Sequence, residues 1–367
     1  MRHRFHSICP YFAMFPESFA EKWITNLTNR NDTVLDPFSG RGTTAICALL
    51  SGRKAIACDV NDVAYCLTKA KTHAPARAVA LKRIVTLRKE YSERSSAREA
   101  GRLPEFFQHA FHPNTLSQIV YLRRRLDWRN RKTDTMIAAL ALGALHGEAD
   151  KSSSYSSNQL PRTISTKPAY SIRFWKKWKL KAPERNAFDL LELAVNFRYE
   201  SEAPRGESLV LNRDMRQLPL LLSTFPGTVR CVITSPPYFD VTNSEEDQWL
   251  RLWFLGGPPY PTTNRLSRDD RHRFATNYWR FIADMWRSLG VILGRSSHVV
   301  VRLGSSRLAP EELKRQLMAT SRFSGRAVEL VEIECSEIRR RQTDAFRPGT
   351  VGCKIEIDCH FYVTGKR

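Results

Sequence analysis

The chain has 367 residues, of which 42% are apolar and 10% aromatic, so global disorder is disfavoured and one large domain with an insert, or two domains, is expected. The formal net charge is +21 and the pI is about 9.9, which favours a polyanionic partner such as nucleic acid. The longest apolar stretch, Met136 to Leu145, is too short to span a bilayer and predicts a buried helix. The amino terminus lacks an extended apolar run, so no signal peptide is expected there. The eight cysteines include no Cys-x-x-Cys pair, which predicts reduced thiols and no metal site.

The first predicted elements are a strand, a glycine turn, a helix and a second strand. Thr33–Asp36 is predicted to be a buried strand, Thr43–Leu50 a helix and Lys54–Cys58 the second strand. Gly40 and Gly42 let the backbone of the turn pass close to a ligand at the start of the helix. This is half of a doubly wound α/β unit, so a parallel sheet is expected.

An acid, Asp59, stands at the end of the second predicted strand. A carboxylate at that place accepts the two ribose hydroxyls of a nucleoside cofactor. A Gly-x-Gly step alone also occurs in ordinary tight turns, and both interpretations are open at this point. Ala45 replaces the third glycine of the dinucleotide pattern, and no Gly-Lys-Ser/Thr step follows. The pattern therefore favours a nucleoside-bearing ligand without a required pyrophosphate.

The middle of the chain is basic and helical in pattern, from Val79 to about Glu200, with a serine-rich loop at residues 151–163. The pattern of alternating strands and helices then returns. The elements predicted there are a strand at Ser208–Leu211, a helix near Arg216–Ser223, a strand at 229–233, helices near Glu245–Phe254 and His272–Leu289, and strands near His298–Leu303, Ala327–Cys335 and Gly352–Val363. The apolar residues of the helix near Glu245–Phe254 are expected to pack against the sheet. These boundaries predict a catalytic domain of residues 1–78 and 205–367, interrupted by a basic helical insert of residues 79–204.

Residues 234–238 read Thr-Ser-Pro-Pro-Tyr and follow the apolar strand at 229–233. Proline lacks the amide hydrogen that a central strand needs, so the strand must end there. A rigid turn would explain the two prolines. A stiff loop that holds carbonyls and a ring in place for chemistry would explain them equally well.

Four stretches together resemble the amino-methylating, S-adenosylmethionine-dependent methyltransferases. DPFSGRGTT (36–44), followed by the acid at 59, is similar to motifs I and II of that family. TSPPY is similar to motif IV in the form typical of DNA cytosine-N4 methyltransferases. CPYFAMFPESFAEKWI (9–24) resembles motif X, and LVLNRDMRQLP (209–219) resembles motif III. The resemblance covers roughly residues 5–75 and 205–365.

This resemblance implies a Rossmann-like class I methyltransferase sheet with helices on both faces, here interrupted by the mostly helical insert. It implies S-adenosyl-L-methionine as the cofactor and site-specific, direct methyl transfer to the N4 amine of a cytosine flipped out of double-stranded DNA. The expected location is the cytoplasm of a prokaryotic cell, at the nucleoid. A cognate restriction endonuclease is left open as a partner.

The resemblance also implies the residues of the site. The cofactor would be bound by Tyr11, Phe15, Pro16, Asp36, Pro37, Phe38, Gly40, Gly42, Thr43, Thr44, Asp59, Val60, Asp214 and Met215. The Ser235 hydroxyl and the Pro236 carbonyl would accept the protons of the target amine, which makes its nitrogen more tetrahedral. Pro236 and Pro237 would keep the loop stiff before reaction. Tyr238 would stack on the extruded base.

Cytosine is the favoured target base, but other targets stay open. Serine before Pro-Pro-Tyr is usual for cytosine-N4 enzymes, whereas adenine-N6 enzymes usually carry Asp or Asn there. Adenine-N6 methylation of DNA, amino methylation of RNA, and a non-catalytic DNA-binding protein on the same fold stay as alternatives. Carbon-5 methylation is disfavoured because the chain has no Pro-Cys step for a cysteine nucleophile. Asp240 and Asn243 are candidates for contacting the other edge of the base.

The insert contains two basic runs, YLRRRLDWRNRK (121–132) and SIRFWKKWKLK (171–181). A solvated basic helix face is the default interpretation of such runs, but the charge of the whole chain favours phosphate binding. The predicted DNA-binding residues are Arg123, Arg124, Arg125, Arg129, Lys176 and Lys177. Phe174, Trp175 and Trp178 are expected either to stack on nucleobases or to lie in the core.

Overall fold

The computed structural model describes residues 3–11, 15–148, 153–157, 159–161, 163–223, 227–239, 244–262, 274–338, 353 and 355–365. The chain divides into two compact units. The helical unit comprises residues 1–12, 69–204 and 243–265, and the sheet unit comprises residues 13–68, 205–242 and 266–367. The predicted insert of residues 79–204 falls within the helical unit, while its role as a separate domain stays a prediction.

The sheet unit is built on one seven-stranded mixed sheet. Its strands are β1 Thr33–Asp36, β2 Lys54–Cys58, β3 Ser208–Leu211, β4 Val229–Thr234, β5 Leu293–Gly304, β6 Ala327–Glu337 and β7 Ile355–Thr364. The order is β3-β2-β1-β4-β5-β7-β6, in which the first five strands are parallel and β7 runs antiparallel to β5 and β6. This is the Rossmann-like class I methyltransferase sheet, so the predicted fold class is confirmed.

The helices are divided between the two units. They are α1 Glu17–Leu27, α2 Thr43–Leu50, α3 Asp62–Thr72, α4 Arg77–Glu90, α5 Glu93–Ala100, α6 Glu105–Ala110, α7 Pro113–Arg125, α8 Lys132–Ala144, α9 Pro168–Lys177, α10 Ala187–Arg198, α11 Leu218–Leu221, α12 Ser244–Asp247, α13 Trp249–Phe254, α14 Ala275–Ile292 and α15 Pro310–Ser321. Of these, α1, α2, α11, α14 and α15 lie in the sheet unit. In the described part of the chain, no helix is long and apolar enough to cross a membrane.

The core of the sheet unit lies between the sheet and α14. Tyr278, Ile282 and Met285 recur at intervals of three and four residues on α14 and are fully buried. Trp286 of the same helix packs edge-on against Phe361 of β7, with 5.3 Å between ring centroids. These apolar contacts fix the sheet to this helix and so support the strand ends that carry the candidate site.

Several predicted elements agree with the structure to the residue. β1, β2, β3 and α2 have the predicted bounds. Helix α15 was not predicted. Its start nevertheless has ordinary helix-start residues, Pro310 and the acids Glu311 and Glu312 of the first turn. The single helix predicted near residues 245–254 is two helices, α12 and α13. Residues 272, 273, 352 and 354 of predicted elements lie outside the described residues.

The helical unit buries α8 as its central helix. The apolar stretch from Met136 falls in this helix and is buried, as predicted. A side chain at Gly143 would place its Cβ 2.1 Å from the Ile8 carbonyl oxygen, so glycine is needed for this close approach. Trp253 of α13 packs on Phe107 of α6, with 4.5 Å between ring centroids. The expectation that these apolar residues pack against the sheet is therefore wrong, because α13 finds its aromatic partners within the helical unit.

Candidate active site

The sheet topology places the ends of three adjacent parallel strands at one edge. β1 pairs with β2 on one side and with β4 on the other. The glycine turn follows β1, Asp59 follows β2, and Ser235 follows β4. Ligands of open α/β sheets bind at the carboxyl ends of such strands. The motifs that are far apart in the sequence are thus brought together by strand order.

Asp36, the last residue of β1, connects the glycine turn to the end of β4. Its Oδ1 accepts hydrogen bonds from the Thr234 hydroxyl at 2.6 Å and from the Phe38 amide at 3.1 Å. The Thr44 hydroxyl lies 3.0 Å from Asp36 Oδ2 and 3.1 Å from the Ile233 carbonyl oxygen. Burial raises the pKa of Asp36 to about 6, against the hydrogen bonds that lower it. The loop that begins at Ser235 therefore starts directly beside the glycine turn.

The glycine turn has the backbone that its sequence predicts. Gly40 and Gly42 have φ angles of 49° and 78°, in the left-handed region that favours glycine. A Cβ on Gly42 would lie 2.7 Å from Thr68 Oγ1, so a larger residue is also excluded by contact. The Gly42 amide donates to the Ser39 carbonyl at 2.7 Å, and α2 begins at Thr43. The turn thus presents its backbone to the strand-end edge.

Asp59 holds this turn from the neighbouring strand. Its Oδ2 accepts from the Gly40 amide and its Oδ1 from the Asn61 amide, both at 2.9 Å. Burial raises the pKa of Asp59 to about 6. Each oxygen of a carboxylate has further lone-pair sites, so the side chain also has the capacity to accept hydroxyl protons. Val60 follows with 44% of its surface exposed, which gives an apolar contact next to the acid.

Two buried polar atoms beside Asp59 have no hydrogen-bond partner among the described residues. They are Ser39 Oγ in the turn and Asn61 Nδ2 after β2. Buried polar groups are normally paired, and an unpaired one needs an explanation such as a bound ligand. A hydroxyl acceptor-donor and an amide donor next to a carboxylate suit the ribose and amino groups of a nucleoside. The residues present therefore fit a nucleoside-bearing cofactor.

Asp214 and Met215 stand after β3, next to β2 at the same edge. Asp214 caps a short 3-10 helix by accepting from the Arg216 amide at 2.9 Å, and its Oδ2 also accepts from the Arg216 guanidinium at 2.7 Å. Met215 is buried in the core of the sheet unit. The predicted contact of Asp214 with an adenine stays a prediction, and the ion pair with Arg216 is a competing use of its carboxylate.

The predicted motif X residues fall in both units. Phe15 is buried in the sheet unit, 4.9 Å from the ring of Phe19, and Pro16 directly precedes α1. The Arg302 guanidinium lies 3.9 Å from the centre of the Phe19 ring. Tyr11 is buried in the helical unit, and residues 12–14 lie outside the described part of the chain. The cofactor contacts of all three predicted residues stay predictions.

The loop after β4 holds Tyr238 firmly. The tyrosine hydroxyl donates to Glu356 Oε1 at 2.6 Å, and the Ser235 side chain hydrogen-bonds to the tyrosine. The ring lies against Gly304, where a Cβ would be 2.8 Å from Tyr238 Cε2. Burial and the neighbouring Glu356 raise the pKa of Tyr238 well above its ordinary value, so the phenol keeps its proton. Pro236, between Ser235 and Tyr238 in the sequence, is buried.

Glu356 belongs to a charge network that the sequence reasoning did not find. Arg302 donates to both carboxylate oxygens of Asp358, at 2.6 and 2.7 Å, and its Nη1 lies 3.5 Å from Glu356 Oε2. In the antiparallel pair of β5 and β7, Glu356 stands opposite Gly304, and Arg302 stands opposite Asp358. The distance of over a hundred residues between Tyr238 and Glu356 explains why no local pattern indicated this contact.

The far end of the loop is anchored in the sheet unit. Phe239 forms an isolated parallel bridge with Ser305 and packs 5.5 Å from the ring of Tyr278. Asp240 and Asn243, the candidates for contacting the base, lie outside the described residues. The loop from Ser235 to Tyr238 is therefore fixed at both ends, which suits a preorganised site.

The predicted DNA-binding residues of α7 have protein partners in the helical unit. Arg123 is half-buried and donates to the carbonyl oxygens of Trp253 at 2.8 Å and Gly257 at 3.1 Å. Arg124 and Arg125 are exposed and form ion pairs with Glu99 at 3.6 Å and Glu90 at 2.7 Å, respectively. Contact of all three arginines with DNA stays a prediction, and Arg123 is the least available of them.

The other three predicted DNA-binding residues are exposed. Arg129 lies over the ring of Trp128, 4.2 Å from its centre. Lys176 forms an ion pair with Glu105 at 2.5 Å, and Lys177 lies 5.5 Å from the ring centre of Trp178. Surface ion pairs of this kind contribute little free energy and exchange readily for phosphate contacts.

Comparison with known proteins finds a match at the amino-terminal end of the chain, which includes the glycine turn and Asp59. Residues 3–70 match the N6_N4_Mtase family, described as DNA methylase. Over 54 residues the chain is 46% identical to the orphan methyltransferase M.BamHII of Bacillus amyloliquefaciens. That match spans 15% of this chain and 20% of the relative, so the chain covers only a fifth of the relative's length.

Two solved structures of the rRNA methyltransferase aviRa from Streptomyces viridochromogenes are also similar. One has a TM-score of 0.32 with 13% identity and covers 96% of this chain and 87% of that chain. The other has a TM-score of 0.31 with 14% identity and covers 95% and 85%, respectively.

The segment that carries the glycine turn and Asp59 is thus similar to the N6/N4 DNA methylase family. This family implies S-adenosylmethionine as the cofactor, and the unpaired Ser39 and Asn61 groups beside Asp59 fit its nucleoside part.

Proposed function

We propose that the chain is a DNA methyltransferase that transfers a methyl group from S-adenosylmethionine to the N4 amine of a cytosine rotated out of duplex DNA. The observation that carries this proposal is the hydrogen bond between Thr234 and Asp36, at 2.6 Å. It holds the start of the Ser-Pro-Pro-Tyr loop beside the glycine turn and Asp59. A methyl donor and an acceptor base need to meet at such a junction.

The bound cofactor supplies an electrophilic methyl group on a sulfonium. Asp59 would accept the ribose hydroxyls, and the exposed Val60 would contact the adenine. Ser39 and Asn61 would use their unpaired groups on the same nucleoside. By resemblance, Phe15, Pro16, Asp214 and Met215 complete this pocket, together with Asp36, Pro37, Phe38, Gly40, Gly42, Thr43 and Thr44 of the turn.

The chain's own residues would act on the target amine as hydrogen-bond acceptors. The Tyr238 hydroxyl donates its proton to Glu356, so its oxygen would accept the hydrogen bond of the Ser235 hydroxyl. The lone pairs of Ser235 Oγ are then available for one amine hydrogen, and the Pro236 carbonyl for the other. Both bonds would draw the nitrogen lone pair out of the base ring and aim it at the methyl group. The Tyr238 ring would stack on the base.

The thiols near this edge support amine transfer over carbon-5 chemistry. Carbon-5 methylation needs a cysteine thiolate as nucleophile. Cys58 and Cys231, which lie in β2 and β4, are buried, and burial raises the pKa of both thiols. Thiols in such surroundings stay protonated and inert. Direct transfer without a covalent enzyme intermediate is therefore the step that we propose.

DNA would be held in part by the exposed basic residues of the helical unit. Arg124, Arg125 and Arg129 are exposed and lie within one short stretch of the chain, and the net charge of the whole chain is +21. Contacts of this kind fix position on the duplex without reading its sequence. The proposal for this surface extends to Lys176 and Lys177 of α9.

The deciding experiment identifies the methylated nucleoside. The purified chain is incubated with duplex DNA of mixed sequence and S-adenosylmethionine that carries a deuterated methyl group, and the DNA is digested for mass spectrometry. Labelled N4-methylcytidine in its deoxy form is the expected product. Labelled N6-methyladenine would move the proposal to the adenine branch. A parallel incubation replaces the DNA with RNA, and transfer to RNA alone would overturn DNA as the substrate. Cofactor binding without any transfer would support the non-catalytic alternative.

A further inference from the structure

Helix α9 carries a row of exposed aromatic rings. Tyr170, Phe174 and Trp178 follow one another at intervals of four residues, with 57%, 43% and 59% of their surfaces exposed. The rings of Tyr170 and Phe174 are nearly parallel, 6.2 Å apart with an angle of 19° between planes. Trp178 follows at 6.4 Å from Phe174. Large aromatic side chains are usually buried, so a contiguous exposed row marks an interaction surface.

Helix α9 is held in the helical unit by Trp175, next to the exposed row. Trp175 is fully buried, donates from its indole nitrogen to the Gln159 carbonyl at 3.1 Å, and packs 5.2 Å from Phe106. The helix is therefore already docked in its unit through Trp175. Tyr170, Phe174 and Trp178 stay exposed while Trp175 is buried, so these three rings lie outside the core that holds the helix.

The end of the helix holds Trp178 in a defined position. The Trp178 amide donates to the Phe174 carbonyl at 3.1 Å, and the Leu180 amide donates to the Trp175 carbonyl at 3.0 Å. Lys179 between them has a φ of 51°, the left-handed conformation that commonly ends a helix. The last ring of the row is thus carried on ordered backbone, which reduces the entropy lost when a partner binds.

The charge around the row identifies the kind of partner. Residues 167–181 contain six basic side chains and no acidic one. Lys167 and Lys176 form ion pairs with Glu246 and Glu105, at 2.9 and 2.5 Å. The remaining basic residues are Arg173, Lys177, Lys179 and Lys181. They are exposed, and the described part of the chain offers them no ion pair.

We infer that the row formed by Tyr170, Phe174 and Trp178 binds an unpaired stretch of a DNA strand, with bases stacked on the rings and phosphates bound by the adjacent lysines. Rings every four residues along a helix rise by about 6 Å per step, which is within reach of successive nucleotides of an extended strand. A duplex hides the faces of its bases, so the rings favour single-stranded over double-stranded DNA. The choice of DNA over RNA rests on the proposed function.

The test measures binding of a fluorescein-labelled 12-nucleotide single strand to the full chain by anisotropy, without cofactor. Trp178→Ala is expected to weaken binding roughly ten-fold or more, and Tyr170→Ala by a similar factor. Trp178→Phe keeps a ring and should recover most of the affinity. Leu193→Ala is the matched control, because Leu193 is 62% exposed on α10 of the same unit and has no place in the row.

The salt dependence separates stacking from phosphate binding. Lys179→Ala should lower the slope of log affinity against log salt by about 0.7, the value for one phosphate of a single strand. Trp178→Ala should weaken binding at every salt concentration without a change of slope. Equal affinities of the wild type, Trp178→Ala and Tyr170→Ala would overturn the inference, as would stronger binding of an RNA 12-mer.

A membrane surface is the other macromolecular partner that exposed aromatic and basic residues suit. Sedimentation with vesicles of phosphatidylserine and phosphatidylcholine tests it, and binding to vesicles that is lost in Trp178→Ala, without binding to the single strand, would overturn the inference. Because no cofactor is present, failure here is distinct from failure of methyl transfer. If the protein is an active methyltransferase and its Trp178→Ala variant binds the strand normally, strand binding by the aromatic row is refuted while the proposed function stands.

Discussion

In the sheet unit the charged side chains near the candidate site point inward, whereas in the helical unit the side chains predicted to bind DNA are divided between internal and surface roles. Asp36 and Asp59 use their carboxylates to hold backbone and hydroxyl groups at the strand ends. Arg123 of the basic run uses its guanidinium on two carbonyl oxygens, while its neighbours Arg124 and Arg125 are exposed. Asp36 and Asp59 thus lie at strand ends and hold the glycine turn, whereas a run of charges did not predict which of its members reach solvent.

The largest expected effect is in the sheet unit, at Ser235. Ser235→Ala should lower kcat by about 100- to 1,000-fold, because one of two acceptors for the amine is removed. Cofactor affinity should change little. The measurement is transfer of a tritiated methyl group to duplex DNA, with cofactor binding followed by calorimetry.

Ser223→Ala serves as the control for that variant, since Ser223 is exposed on the same unit away from the loop. If Ser235→Ala kept more than half of the wild-type rate, the assignment of Ser235 as an acceptor would be wrong.

The next effect concerns the pH dependence of stability through Asp36. Its folded pKa of about 6 lies above the ordinary 3.8, so between these values the folded state binds a proton that the unfolded state has released. The free energy of unfolding therefore rises as pH falls from about 7 to about 4, by up to about 3 kcal/mol from this group. Above about pH 7 this contribution is absent.

Asp36→Asn should remove that contribution, so the difference in unfolding free energy between the wild type and the variant should depend on pH in this window. Urea unfolding at several pH values measures it. A constant difference from pH 4 to 7 would show that Asp36 titrates as an ordinary acid.

In the helical unit, Arg123→Ala is expected to destabilise the protein by about 1–3 kcal/mol, because the carbonyls of Trp253 and Gly257 lose their donor. Arg124→Ala is its matched control and should cost under about 0.5 kcal/mol, as is typical of an exposed ion pair. Urea unfolding and DNA binding are measured for both. Equal stability of the two variants would remove the distinction between internal and surface arginines in this run.

The smallest expected effect is at Glu356, which positions Tyr238. Glu356→Gln keeps an acceptor for the tyrosine hydroxyl but loses the charge, and kcat should fall about two- to ten-fold with KM for DNA changed less. Tyr238→Phe removes the same hydrogen bond. The double variant should therefore match Tyr238→Phe alone, since the two residues act through one contact.

Glu332→Gln is the control for Glu356→Gln, because Glu332 is exposed on β6 of the same sheet. Additive losses in the double variant would show that Glu356 acts through something other than Tyr238.

Local patterns predicted those parts of the protein that depend on neighbouring residues. β1, β2, β3 and α2 have their predicted bounds because short apolar runs ended by glycine or acids leave few alternatives. Helix α15 was missed although its start residues are favourable, since only Leu313 and Leu317 among its apolar residues are buried. Helices α12 and α13 were predicted as one, and Phe106 and Phe107, the aromatic partners of α13, could not be read from that segment.

The sequence by itself determined the class of sheet, the glycine turn, the acid after β2 and the stiff loop after β4, since each depends on residue types at short spacing. Tertiary structure decided that the hydrogen bond between Asp36 and Thr234 joins the glycine turn to the loop after β4, and that Glu356 accepts from the Tyr238 hydroxyl. It also decided that Trp175 is buried while Phe174 and Trp178 are exposed. The physical reason is that hydrogen bonds and burial depend on which strands and helices become neighbours, and contacts over a hundred residues or more leave no mark on local spacing.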